Sequence, residues 1–265
     1  MPGPAPRERT MSGLRHVEFF GLPGSGKTTV ARDIHARLVR AAPALVFSPV
    51  ALRDDSTVMR RVTAKAGLIV GELGRDWNFR HALQQTLAIP QPSLRDAGRA
   101  VFTLSTVLSL YRQLERRQLT AVFDQGLLQA LWSIRLRTKR GHRHDLADDL
   151  LDDAARSARV HVFVDTPPDL CAERLARRSS KHSRLQRAGA SEGWQAADDL
   201  CRTLLVELRG RYKVAGLSPS IVEVDGRMDS AMTAHRVLEA LEAAGAGPVE
   251  GFGRHRSSPA ATNQV

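Results

Sequence analysis

The stretch "HVEFFGLPGSGKTTVARDI", residues 16–34, joins a short β-rich run to an amphipathic helical pattern through a turn containing Gly21, Gly24 and Gly26. Gly21, Gly26, Lys27 and Thr28 fill every fixed position of G-x-x-x-x-G-K-[ST]. Glycines let the backbone turn tightly enough for successive N–H groups to converge on one anion, and the following helix adds the positive end of its dipole. Lys27 is expected to reach the β- and γ-phosphates of a nucleoside triphosphate, and the Thr28 hydroxyl to ligate Mg²⁺. The expected ATP-binding segment comprises Gly21, Leu22, Pro23, Gly24, Ser25, Gly26, Lys27, Thr28 and Thr29.

Outward from this loop, short β-rich runs alternate with longer helical patterns. The strand candidates are residues 16–20, 44–48 ("ALVFS"), 120–124 ("TAVFD"), 160–165 ("VHVFVD") and 220–225 ("SIVEVD"). Such alternation predicts an α/β fold, a parallel sheet with helices on both faces and right-handed crossovers. Binding sites in that architecture lie beyond the carboxyl ends of the strands. One crossover, residues 51–119, is oversized and reads as a helical insertion between the second and third strands, with Ser93 capping a helix that carries Val101, Leu104, Leu108 and Tyr111 on one face.

A phosphate cradle needs a group to hold the metal or orient the attacking atom. Asp124 ends the third strand candidate, and Gly126 lets the chain turn directly into a helix. If the first and third strands are neighbours, Asp124 lies beside the loop, where it either holds Mg²⁺ or accepts a proton from an acceptor hydroxyl. Asp165, ahead of Thr166-Pro167-Pro168, is the competitor, although it reads better as the approach to a helix capped by Thr166 or Asp169. Glu18, in the middle of a strand expected to be buried, receives no role from the sequence.

Residues 169–194, "DLCAERLARRSSKHSRLQRAGASEGW", begin as a helix and continue as a polar segment with Arg174, Arg177, Arg178, Lys181, Arg184 and Arg187. Guanidinium groups on a closing segment stabilise the charge of a phosphoryl group in transfer and exclude water. Residues 174–193 are therefore expected to act as a lid.

The whole composition is that of an ordinary globular chain, 42% hydrophobic and 25% charged over 265 residues. The 39 Lys+Arg against 28 Asp+Glu leave a net charge of +11, which suits anionic ligands: nucleotides, nucleic acid or membrane surfaces. No run approaches the roughly 20 apolar residues of a membrane span, and residues 1–13 lack the apolar core of a secretory signal, so a cytoplasmic location is expected. Residues 1–13 and 246–265 read as disordered tails around a unit spanning 14–245. Cys171 and Cys201 read as inert core thiols. The acidic run Asp145, Asp148, Asp149, Asp152 and Asp153 reads as a hydrated helix face, and His142 and His144 lack the partners of a zinc site.

With these pieces placed, the chain resembles the P-loop nucleoside and nucleotide kinase superfamily, in particular its thymidylate-kinase-like and adenylate-kinase-like members. The resemblance rests on the loop at 21–28, the strand-end Asp124, "VDTPPDLCAERLARR" and "VEVDGRM", which together span most of residues 15–245. It implies a three-layer fold with a five-stranded sheet in the order 2-3-1-4-5, Arg177 and Arg184 as lid arginines, and Gly226 and Arg227 in the turn bordering the base. Two positions depart from the thymidylate-kinase pattern: Pro23 stands where those enzymes carry an acid, making the loop closer to the adenylate-kinase and sugar-kinase style, and Gln125 stands where they carry an arginine that grips the acceptor's phosphate, which points away from a nucleoside monophosphate acceptor.

The function expected from the whole is ATP-dependent phosphotransfer to a small-molecule acceptor, with Lys27, Asp124, Arg177 and Arg184 in the catalytic set and Thr28 and Asp124 holding Mg²⁺. The alternative is a P-loop ATPase acting as a regulatory or nucleic-acid-associated factor, and a third is a nucleotide-binding scaffold without catalysis. No membrane partner is expected. The sequence is silent on oligomeric state.

Overall fold

The first strand is buried along its whole length, and its alternation feeds two separate cores. In the computed structural model, which describes residues 16–41, 46–47, 66–67, 69–75, 77–138, 146–156, 159–177 and 191–243, β1 runs His16–Phe20 and leads through the glycine turn into α1, Lys27–Ala41. Val17 and Phe19 join a cluster with Val30, Ile34 and Leu38 of α1. Phe20 points into the opposite, larger cluster.

The remaining described elements are β2 (Val46–Phe47), α2 (Trp77–Ala88), α3 (Leu94–Arg116), β3 (Thr120–Phe123), α4 (Leu127–Arg135), α5 (Leu146–Arg156), β4 (Arg159–Asp165), α6 (Pro168–Ala176), α7 (Ser191–Val214), β5 (Ile221–Asp225) and α8 (Ser230–Ala243). All strand pairs are parallel, and the order is β2-β3-β1-β4-β5. That order is the one the resemblance implies. It makes β1 and β3 neighbours, with Glu18 opposite Phe123, so the end of β3 emerges beside the glycine turn.

Helices α1 and α8 cover one face of the sheet, where Val237, Leu238 and Leu241 meet Val122, Val162 and Val224. The other face is covered by α3, α4 and α7, which contribute Leu104, Leu108, Leu131, Trp132, Leu204 and Leu208. The Trp132 indole N–H donates to the Ala197 carbonyl at 2.9 Å, tying α4 to α7. Each wide apolar face is matched to a neighbour's, which is why the alternation of the strands could be read from sequence.

Within the large crossover, α2 and α3 are helical, and Ser93 caps α3 by accepting the Asp96 N–H at 3.1 Å. Other expectations change. Residues 174–176 belong to α6 and 191–193 to α7, so both ends of the stretch expected as a lid are helical, while residues 178–190 lie outside the described residues. Helix α6 starts behind Pro167 with no side-chain cap; neither Thr166 nor Asp169 fills that place. The acidic face of α5 is not merely hydrated, because Asp148 and Asp152 pair with Arg211 of α7 at 2.5 and 3.4 Å. The expected tails, most of the 44–48 strand, His142, His144 and Arg184 lie outside the described residues.

Candidate phosphate-binding site

The turn after β1 takes its shape from glycine. Gly21, Gly24 and Gly26 have φ of +139°, +91° and +99°, conformations that residues with a Cβ rarely adopt. Gly24 is also pressed against α6, and a Cβ there would stand 2.5 Å from the Cys171 carbonyl oxygen. Gly26 differs. A Cβ on it would meet nothing nearer than an Arg174 guanidinium nitrogen at 4.0 Å, so this glycine faces open space. An open concavity edged by backbone at positive φ suits an anion larger than a side chain.

Lys27 begins α1 and is buried, with its ammonium donating to the carbonyls of Gly21 and Leu22 at 2.8 and 2.6 Å and lying 3.3 Å from the Ser25 hydroxyl. The Thr28 hydroxyl donates to Asp124 Oδ2 at 3.1 Å. Strand alternation accounts for this meeting. Val122 faces the α1 side of the sheet, and Asp124, two residues on, leaves the strand on that same side. The pair is an all-oxygen set with one carboxylate, the donor chemistry preferred by Mg²⁺. Asp124 is 3% exposed, so the carboxylate is held in place rather than roaming in solvent.

Asp165 is held elsewhere. Its carboxylate receives Arg202 of α7 at 2.8 Å, and Arg202 also donates to Asp198 at 2.8 Å. Thr166 donates its hydroxyl to the Ser25 carbonyl at 3.2 Å, binding the end of β4 to the glycine turn. Gly226 is packed onto the same point, where a Cβ would lie 1.8 Å from Thr166 Oγ1. The turn after β5 is further fixed by Arg227, which grips Asp225 at 2.8 Å and holds its carboxyl down at about 2.

Beside the glycine turn a cleft of about 270 Å³ is lined by Gly24, Ser25, Gly26, Thr29, Val30, Val164, Arg174, Gly226, Met228, Ser230 and Thr233. The Arg174 guanidinium reaches across it to the Gly226 carbonyl at 2.9 Å. Arg177 lies at the end of α6, 77% exposed and paired with Glu173. Of the two arginines expected in a catalytic set, Arg177 is thus outside the cleft lining and Arg184 lies outside the described residues. Arg174 takes the inward place. It stands three residues before Arg177, at the end of the same helix, on the face that turns toward the glycine loop.

Both cysteines are buried behind the loop. Burial pushes the Cys171 thiol up to about 11 and the Cys201 thiol up to about 12, so both are neutral at physiological pH, as an inert core role requires. Among the described residues no group of His, Cys, Asp or Glu has the arrangement of a multi-ligand metal site, and no helix is long and apolar enough to cross a membrane.

Comparison with known proteins adds a family. The profile of the AAA domain matches residues 17–196, while no curated protein matches the chain. Among solved structures, the deoxyadenosine kinase of M. mycoides with products dCMP and dCDP is 11% identical with a TM-score of 0.48, covering 86% of this chain and 99% of that one. The same enzyme with dATP is 12% identical at a TM-score of 0.44, covering 85% and 98%, and with dCTP 13% identical at 0.39, covering 86% and 99%. These likenesses carry no information on substrate. From the profile match over 17–196, the glycine turn and the strand-end carboxylate beside it, the chain belongs to the AAA-domain family, within the P-loop superfamily that includes the nucleoside and nucleotide kinases.

Proposed function

We propose that the protein is an ATP-dependent phosphotransferase acting on a small metabolite, with nucleosides and nucleotides the first acceptors to test. The observation that carries this reading is the 3.1 Å contact between Thr28 of the glycine turn and Asp124 at the end of the adjoining strand. Those two residues would hold Mg²⁺, which when bound neutralises charge on the β- and γ-phosphates. The loop amides and Lys27 bind and orient the triphosphate, Lys27 exchanging its carbonyl partners for phosphate oxygens. Asp124 serves either as metal ligand or as the base that takes the proton of an acceptor hydroxyl.

Arg174, on the cleft, stabilises charge at the bound nucleotide. Arg177 and Arg184 are proposed to act from the segment following α6, closing over the site. Gln125 is exposed in the turn after Asp124, and its neutral amide favours an acceptor without a phosphate at that point. Residues 14–245 are proposed to form one kinase-like unit.

The test is a Mg-ATP phosphorylation assay over a metabolite library, run beside Lys27→Ala and Asp124→Asn. Acceptor-dependent product, lost in both variants, is expected. Steady hydrolysis indifferent to every acceptor would instead favour the second reading, a P-loop ATPase associated with regulation or nucleic acid, which the net charge of +11 supports. That reading predicts polymer-stimulated hydrolysis with a steep salt dependence.

A further inference from the structure

Glu18 is a carboxylate in the middle of a fully buried strand, 0% exposed, on the sheet face covered by α3, α4 and α7. Its Oε1 accepts the backbone N–H of Leu128 at 2.5 Å, and its Oε2 accepts the Tyr111 hydroxyl at 2.8 Å. His161 Nε2, on β4, is 3.9 Å from the same Oε2, and the other ring nitrogen of His161 is 3.3 Å from the Tyr212 hydroxyl. Leu128 is the second residue of α4, and the residue before that helix is Gly126, which has no side chain to cap it. Glu18 therefore does from β1 what an N-cap side chain does locally: it accepts an otherwise unpaired N–H at the head of the helix.

The close approach is built in. A Cβ on Gly126 would lie 2.5 Å from both Glu18 Cδ and the Tyr111 oxygen, so the turn is glycine where the carboxylate needs room. Only Asp124, Gln125 and Gly126 separate the end of β3 from α4. The two ends of this turn are held from opposite faces of the sheet, by Thr28 on one side and Glu18 on the other.

We propose that Glu18 is a positioning residue for the Thr28–Asp124 pair: by clamping the head of α4 it fixes the turn that aims Asp124 at the glycine loop. Glu18 does not touch the nucleotide site. The inference rests on the reading of Thr28 and Asp124 as the metal-holding pair, and it predicts that Glu18 governs the metal-dependent part of nucleotide affinity and not the metal-independent part.

The experiment compares ATP affinity by calorimetry in excess Mg²⁺ and in EDTA, at a temperature well below each variant's unfolding transition. For the wild type, Mg²⁺ should tighten binding, and Asp124→Asn should remove most of that gain; a wild type with no gain, or an Asp124→Asn variant that retains it, overturns the metal-pair reading and this inference with it. Where both controls behave, Glu18→Gln should cut the Mg²⁺-dependent gain about tenfold while the affinity in EDTA stays within about twofold. A folded Glu18→Gln protein that keeps the full gain and only melts earlier would reduce Glu18 to a structural role and overturn the inference alone. Tyr111→Phe, which keeps the ring and removes one of the two donors to Glu18, serves if Glu18→Gln does not fold. It should lower the same gain about threefold, and an unchanged gain would overturn the inference equally.

Discussion

Replacing Gly24 and Gly26 by alanine, one at a time, separates the loop's role in holding the fold from its role in holding a ligand. Both residues have positive φ, +91° and +99°, so each substitution carries a backbone strain of roughly 1–3 kcal/mol. Only the Gly24 Cβ collides: it would lie 2.5 Å from the Cys171 carbonyl oxygen and 3.1 Å from Leu175 Cγ, and the nearer obstacle is helix backbone that cannot rotate away. Forcing α6 off the loop adds about 1–3 kcal/mol of overpacking, and at roughly 2–4 °C per kcal/mol for a chain of this size the Gly24→Ala protein should melt about 2–12 °C below Gly26→Ala. The Gly26 Cβ would meet only an Arg174 guanidinium nitrogen, at a relaxed 4.0 Å, and would instead occupy the concavity, so Gly26→Ala should keep more stability and lose at least about tenfold in Mg-ATP affinity. The assay is thermal unfolding followed by circular dichroism without nucleotide, paired with calorimetric titration of Mg-ATP. Equal melting temperatures, or a Gly26→Ala protein that binds as the wild type does, would refute the reasoning.

Three further outcomes are expected. Asp225 should titrate at about 2 by NMR, and return toward the ordinary carboxylate value in Arg227→Ala; since the folded value lies below the unfolded one, the pair favours the fold above about pH 4 and that contribution is lost as pH falls through about 2. Cys171 and Cys201 should resist a thiol reagent in the native protein at pH 8, and because burial raises both, their contribution to stability is full below the unfolded value near 9 and declines as pH rises above it; rapid labelling would contradict their burial. Arg177→Ala should leave the melting temperature within about 2 °C, because its pair with Glu173 is exposed, yet lower turnover; unchanged turnover would remove Arg177 from the proposed closing segment.

What could be read from the sequence was local. The fixed residues of the glycine loop are neighbours in the chain, and the strand before and helix after them are set by short-range periodicity, so loop, strand and helix could be placed together. The place of Asp124 beside the loop was legible because it ends a strand candidate, and the pairing of β3 with β1 brings that end to the glycine turn. Glu18 was not, because the partners that explain it, Tyr111 and Leu128, lie 93 and 110 residues along the chain. The difference between Arg174 and Arg177 is one of helical phase, which α6 acquires by packing on the glycine loop and its other neighbours. Thr166 had the composition of a cap, but its hydroxyl is drawn to the Ser25 carbonyl across the sheet, a contact 141 residues away in sequence.

The most direct test of the account is calorimetric titration of ATP into the wild-type protein with magnesium present, beside Thr28→Ala and Asp124→Asn. One-site binding that magnesium strengthens, with that strengthening lost in both variants, is the expected result. No heat of ATP or GTP binding under these conditions, or binding indifferent to magnesium and to both substitutions, would contradict it.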